Sequence, residues 1–153
     1  MGSLGIQLAK NKGAVVIGVA SQKNHAFMKD LGADYTIDYK EAIGDETKKN
    51  LPDGVDLIFD CASGESLTKS LTALKPEGTL VSILNQGNDL DPGINFKYVY
   101  VEPNSRQLEE LAQLADSGKL QVPIGHQFSL DNAAQALAQI ETHHTTGKII
   151  IIP

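Results

Sequence analysis

The feature that most constrains this chain is a rhythm of short apolar strand-like runs alternating with helix-length segments. Ala14-Val15-Val16-Ile17-Gly18-Val19-Ala20 is continuously apolar and rich in β-branched residues. That pattern suits a strand buried on both faces of a parallel sheet. Tyr35 to Asp38, Val55 to Asp60 and Thr79 to Leu84 read as further strands. Between them lie helical segments with their own start and stop signals. Leu4 to Lys12 follows Ser3 as N-cap and ends at Gly13; Ser21 opens a helix to Leu31, closed by Gly32. Asp45 to Asn50 is a short polar helix stopped by Pro52 and Gly54, and Ser63 or Gly64 opens one through Leu74 that Pro76 and Gly78 end. Strict alternation of this kind predicts an α/β, doubly wound (Rossmann) parallel sheet covered on both faces.

After Leu84 the rhythm changes. Asn85 to Gly93 is a polar, turn-rich loop. Ile94, Phe96, Tyr98 and Tyr100 then alternate with Asn95, Lys97, Val99 and Val101, a strand with two unlike faces at a sheet edge. Asn104 caps a helix from Ser105 to Ser117 with Leu108, Leu111, Ala112 and Ala115 on one stripe. Asp131 caps a helix to about Thr142, and Lys148 to Pro153 is a final strand.

A doubly wound domain opens with a strand, then a glycine-rich turn, then a helix, whereas this sequence opens on the helix. The expectation is a Rossmann sheet lacking its first strand. In the usual order 3-2-1-4-5-6 that strand is central, so its loss leaves a space of roughly 9.6 Å between the Ala14–Ala20 and Val55–Asp60 strands. Rows of unpaired backbone groups there would each cost about 1–3 kcal/mol. Lys148 to Ile152 is the candidate to fill the space, from its own chain or from a neighbour. The neighbour route, helped by the Asn95–Val101 edge, makes a homo-oligomer.

Bulk properties narrow the function. The chain has 153 residues, enough for one domain, with 41% apolar and 21% charged residues. A net charge of −6 with scattered Lys and Arg offers no basic face for nucleic acid. The single cysteine, Cys61, makes neither an internal disulfide nor a Cys-rich zinc site. The longest apolar run is too short to cross a bilayer, no signal peptide is visible, and Ile6 breaks the myristoylation pattern begun by Met1-Gly2. These signs predict a cytoplasmic protein without membrane association.

Gly2 stands just before the first helix, where the last glycine of the G-x-G-x-x-G fingerprint lets a pyrophosphate approach a helix N-terminus. The loop after the first strand is Ala20-Ser21-Gln22-Lys23-Asn24. An NAD site places an acid there to hold the ribose hydroxyls, and no acid occurs between Met1 and Lys29. A hydroxyl, a cation and an amide suit the 2′-phosphate of NADP. The plainer alternative is a capping serine followed by a solvated first turn.

Several stretches together carry a resemblance. Gly2-Ser3-Leu4-Gly5-Ile6-Gln7-Leu8-Ala9-Lys10 resembles the tail of the G-x-G-G-V-G-S-x-x-x-Q-L-A-K segment of medium-chain, quinone-oxidoreductase-like dehydrogenases/reductases. Leu31-Gly32-Ala33-Asp34 with Ile37-Asp38-Tyr39 resembles their L-G-A-D-x-x-I-D-Y, Leu74-Lys75-Pro76-Glu77-Gly78-Thr79-Leu80-Val81-Ser82-Ile83 their L-K-P-G-G-x-L-V-S-I, and Gly147-Lys148-Ile149-Ile150 their terminal G-K-I-V. The landmarks come in the family's order and span essentially the whole chain.

The resemblance implies that residues 1–153 form an NAD(P)-binding domain incomplete at its N-terminus. It also implies that the helix and strand of 125–153 pack on a GroES-like substrate domain outside this sequence. The implied activity is hydride transfer from NADPH to a small-molecule acceptor such as a quinone, an enone or a related carbonyl compound, with the acceptor contacts supplied by that other domain. By position, Gly2, Ser3 and Leu4 would face the pyrophosphate. Ser21, Lys23 and Asn24 would hold the 2′-phosphate, with Tyr39 beside it. Cys61 and Ala62 would line the adenosine side, and Ser82, Ile83 and Leu84 would approach the nicotinamide ribose. Phe96 to Val99 would lie near the nicotinamide and at a dimer edge. Glu77 departs from the family's usual glycine. The rival reading is a non-catalytic dinucleotide-binding or redox-sensing module.

Other residues carry less. Cys61 reads as a small filler at a strand end rather than a redox thiol. The adjacent pair His143-His144 cannot share a helix face, so no metal site is expected. His25 and His126 lack a visible acid or nucleophile partner. Asp34, Asp38 and Asp60 lie at strand ends where turns favour Asp, and receive no acid–base role.

Overall fold

A computed structural model describes residues 1–142 and 144–153 of the chain. The chain divides into two compact units, Met1–Arg106 and Gln107–Pro153. Unit one contains α1 (Gly2–Asn11), β1 (Ile17–Ala20), α2 (His25–Asp30), β2 (Tyr35–Asp38), α3 (Ile43–Asn50), β3 (Val55–Asp60), α4 (Gly64–Leu71), β4 (Leu74–Ser82) and β5 (Asn95–Tyr98). The helix α5 (Ser105–Asp116) begins at its end. Unit two continues with β6 (Ile124–Ser129), α6 (Ala133–Glu141) and β7 (Lys148–Ile152). Short 3-10 turns, Gln22–Asn24 and Leu130–Asn132, precede α2 and α6.

All strand pairs are parallel, as the alternation predicts. They form three ladders: β1 with β2, β3 with β4 and β5, and β6 with β7. Neither β1 nor β3 has a strand on its other side among the described residues. That is the arrangement of a Rossmann sheet without its central first strand. Val15, expected in a doubly buried strand, is 59% exposed, and Leu57 and Phe59 of β3 are 55% and 42% exposed.

Unit one is held by close contacts and by ion pairs, among them Lys75 with Asp56 between β4 and β3 and Lys10 with Asp34. Gly5 of α1 lies against Phe59, whose ring carbon would stand 3.0 Å from a Cβ at that position. Gly44 of α3 meets α4 so tightly that a Cβ would clash with Thr72 Oγ1 at 1.8 Å. Lys10 on α1 grips both carboxylate oxygens of Asp34 at 2.9 and 2.8 Å, and the Val16 N–H donates to the same carboxylate at 2.7 Å. One aspartate thus joins α1 to the start of both β1 and β2. The Lys10 ammonium is the main cause that holds the Asp34 carboxyl below its ordinary range. The core comprises Met28, Leu31, Ile37, Ile43, Leu67 and Leu80.

Several expectations are corrected. Helix α1 starts at Gly2 with Met1 as its N-cap, so Ser3 lies inside the first turn; its carbonyl accepts from Gln7 Nε2 at 3.0 Å. Ala14 to Val16 precede β1, because their ladder partner β2 begins only opposite Ile17. Strand β4 starts at Leu74 and runs through Pro76 and Gly78, which were expected to end a helix. The β3–β4 register is broken between Val55 and Leu57, and such an irregularity admits a proline. The edge strand stops at Tyr98 rather than Val101. Asp131 lies within a 3-10 turn, and Asn132 is the N-cap of α6. Strand β6 was not foreseen. It pairs with β7, so Lys148–Ile152, the candidate to fill the space beside β1 and β3, has its partner in its own unit, and among the described residues no ladder joins it to β1 or β3.

Candidate dinucleotide site

In a doubly wound sheet ligands bind beyond the carboxyl ends of the strands, and the carboxyl ends of β1 to β4 carry most of the candidate residues. Gly2, Ser3 and Leu4 form the first turn of α1. The N–H groups of Leu4 and Gly5 are bonded to the Met1 carbonyl at 3.0 and 3.1 Å. Gly2 is exposed, and a Cβ there would meet nothing within 4 Å. This is room of the kind an anion needs at a helix end.

The end of β1 leads into an ordered turn. Ser21 is extended, the Asn24 N–H donates to its carbonyl at 2.8 Å, and Asn24 Nδ2 donates to its Oγ at 3.3 Å. Lys23 is exposed. Ser21 was expected to cap the helix, yet its side chain makes no cap bond. Its oxygen accepts from Asn24 instead, which leaves its proton directed elsewhere. An acid does approach this loop, from β2. Asp38 accepts the Gln22 N–H at 2.9 Å through Oδ2 and the Lys40 N–H at 2.9 Å through Oδ1. These bonds, the Lys40 amide first, hold its carboxyl below the ordinary range against the opposing effect of burial. Both oxygens are engaged by backbone, so Asp38 builds the turn. Tyr39 follows it, exposed, with its N–H on the Ala20 carbonyl at 3.3 Å and its own carbonyl accepting from Lys69 Nζ at 3.4 Å. The structure therefore gathers Ser21, Lys23, Asn24 and Tyr39 on two adjacent strand ends.

The ends of β3 and β4 form a second cluster. Cys61 is half-buried, and burial is the main cause that pushes its thiol up, which keeps it protonated and disfavours thiolate chemistry. Ala62 is exposed. Ser82 is fully buried and donates its hydroxyl to Asp60 Oδ2 at 2.6 Å, so this side chain faces inward and only its neighbours Ile83 and Leu84 face the rim. Phe96 packs beneath Gly87 of the 85–94 loop, while Val99 is exposed past the end of β5 with its N–H on the Ser82 carbonyl at 2.9 Å. Sequence reasoning missed the role of Asp60 as a buried partner of Ser82. The two are 22 residues apart, and only the strand pairing brings them together.

Among the described residues no three His, Cys, Asp or Glu side chains stand together to hold a metal ion. His143 lies outside the described residues. Among the described residues no helix is long and apolar enough to cross a membrane.

A family signature described as zinc-binding dehydrogenase matches residues 31–151. The chain is 34% identical over 158 residues to a 2-methylene-furan-3-one reductase of Solanum lycopersicum, covering 100% of this chain and 38% of that protein. It is 32% identical over 157 residues to an NADPH-dependent alkenal/one oxidoreductase of Arabidopsis thaliana, covering 100% and 38%. Among solved structures, the quinone oxidoreductase from Coxiella burnetii superposes with a TM-score of 0.83 at 33% identity, covering 98% of this chain and 48% of that one. The chain thus spans less than half the length of these proteins. The described residues furnish no zinc ligand set despite the wording of the family description.

Proposed function

The chain belongs to the zinc-binding dehydrogenase family of medium-chain dehydrogenases/reductases, and from that premise we propose that it is the dinucleotide-binding part of an NADPH-dependent oxidoreductase. The acceptor class is a quinone, an enone or a related carbonyl compound. Bound NADPH supplies the hydride. This chain's residues bind and orient. Lys23 and the Ser21 hydroxyl hold the 2′-phosphate, Tyr39 flanks it, and the first turn of α1 takes the pyrophosphate. Cys61, Ala62, Ile83 and Leu84 border the two nucleoside halves. The acceptor is held by a second domain, against which the β6–α6–β7 segment packs.

The observation that carries this reading is the β1-end turn. Among the described residues, the carboxylate hydrogen-bonded to this turn, Asp38, accepts two backbone amides, and a hydroxyl and a cation stand on the turn itself. An NAD site places an acid at this strand end to accept from the ribose hydroxyls; the hydroxyl and the cation of this loop instead suit a 2′-phosphate. Titration of the chain by nicotinamide fluorescence tests it. NADPH is expected to bind about tenfold tighter than NADH, a difference of about 1.4 kcal/mol; equal affinities or an NADH preference would refute the assignment.

Among the described residues the open outer edge of β5 supports self-association. Light scattering at low micromolar concentration is expected to give a dimer or larger, and a stable, cooperatively folding monomer excludes it.

A further inference from the structure

Two buried side chains at neighbouring strand ends tie two turns into one body. Asp60 closes β3, Ser82 closes β4, and the two are register partners in the parallel ladder. Ser82 Oγ donates to Asp60 Oδ2 at 2.6 Å. Asp60 Oδ1 accepts the Ala62 and Ser63 N–H groups at 3.1 and 2.8 Å. Ser82 Oγ in turn accepts the Leu84 and Asn85 N–H groups at 3.1 and 2.8 Å. The Ile83 N–H adds a bond to the Asp60 carbonyl at 3.3 Å. Five turn amides therefore point inward at two residues, which are 6% and 0% exposed.

The network has a fixed polarity. A serine hydroxyl carries one proton, and here it goes to the carboxylate while its lone pairs receive Leu84 and Asn85. A carboxylate accepts on both sides. An amide in its place would set an N–H either against the Ser82 proton or against the Ala62 and Ser63 amides. The turn also needs its anchor. Ser63 has φ 59° and ψ −170°, a region that favours glycine, and the Asp60 bond to its N–H holds it there.

We propose that Asp60 and Ser82 are a positioning pair that couples the two cofactor-facing turns, Cys61–Ser63 and Ile83–Asn85, so that neither can shift without the other. Neither side chain touches the cofactor. The inference rests on the dinucleotide-binding reading, since it assigns these turns to that site. It separates from that reading because the coupling is measurable without ligand.

The test compares wild type, Asp60→Asn and Asp60→Asn/Ser63→Gly by amide hydrogen exchange and NADPH titration. Ile43→Ala, a core truncation on α3, serves as a destabilised control. Asp60→Asn is expected to speed exchange at least tenfold at Leu84 and Asn85, which do not bond Asp60 themselves, and to raise the NADPH dissociation constant at least fivefold. The double variant, relieved of the strained backbone, recovers melting temperature and keeps the weak binding. Ile43→Ala lowers the melting temperature and leaves affinity within twofold. Unchanged protection at Leu84 and Asn85 in Asp60→Asn overturns the coupling. Wild-type affinity in the double variant, or an equal loss in Ile43→Ala, reduces the pair to a stabilising contact and overturns the positioning role. A wild-type chain that binds no NADPH overturns the parent reading and the cofactor role with it, whereas a wild type that binds and an Asp60→Asn that binds equally well overturns the pair alone.

Discussion

Two strand ends in this molecule are built alike and charged oppositely. After β1 the sequence is Ser21-Gln22-Lys23-Asn24; from the last residue of β6 it is Ser129-Leu130-Asp131-Asn132. In both, an extended serine leads into a 3-10 turn and an asparagine near φ −100° opens an α-helix. In both, the asparagine Nδ2 donates to the serine Oγ, at 3.3 Å in the first and 2.8 Å in the second. The backbone path is thus a property of a serine and an asparagine three residues apart after a parallel strand. What the turn can hold is a property of its third residue, a cation in one and an anion in the other. The geometry alone marks no phosphate site, because the molecule makes it twice.

The largest expected effect comes from making the first turn electrically like the second. Lys23→Asp places a carboxylate where the proposed site would hold the 2′-phosphate. NADPH affinity is expected to fall at least about tenfold, or about 1.4 kcal/mol, with NADH affinity within about twofold, so that the preference between them closes or inverts. Paired fluorescence titrations read it directly. Unaltered NADPH binding would show that the phosphate is held away from the β1 end.

The sequence showed the two turns unequally, and the reason is burial. Tyr35–Asp38 and Val55–Asp60 were legible to the residue because turn signals bound them and their side chains alternate or run apolar in the way a ladder requires. β6 was not legible: five of its six residues are exposed and only Phe128 is half-buried, so no packing pattern is impressed on Ile124 to Ser129. The 22-residue link between Asp60 and Ser82 lies outside any local window, although each residue was noticed, one as a turn former and the other as a rim residue. Pro76 and Gly78 misled in the other direction, as stop signals that the irregular β3–β4 register absorbs. Of the dinucleotide residues, the Ser21–Asn24 loop could be read from the missing acid. The approach of Asp38 to that loop could not, because it depends on the pairing of Ala20 with Asp38.

Removing the shared serine should separate the turns by burial, with a smaller effect. Ser21→Ala and Ser129→Ala each delete the acceptor of an asparagine amide. A hydrogen bond of this kind contributes about 0.5–1.5 kcal/mol, and less where water can replace it. The first bond is partly buried and the second exposed. Ser21→Ala is expected to cost about 1 kcal/mol and Ser129→Ala about 0.5 kcal/mol in denaturant unfolding. Only the first should also weaken NADPH binding. Equal loss of NADPH affinity in both would break the distinction between a ligand-holding turn and its structural twin.

The smallest effect is a titration, and it sharpens what sets the first turn apart: its tie to the neighbouring strand through Asp38. The Lys40 amide is the largest influence and stabilises the ionised carboxylate, burial comes next and opposes it, and the Gln22 amide adds to the stabilisation, so the folded-state value lies below that of the unfolded chain. A group depressed in this direction contributes its full stabilisation above the ordinary aspartate value of about 3.9 and loses it as pH falls through the lower, folded value. At neutral pH the turn is therefore fully tied and the carboxylate fully charged. Amide NMR on the folded chain should show Gln22 and Lys40 moving together with one midpoint below about 3.9, and Asp38→Asn should abolish that shared step. A common midpoint at or above the ordinary value would mean that these two amides do not hold Asp38, and the difference between the two turns would then reduce to the charge on Lys23 alone.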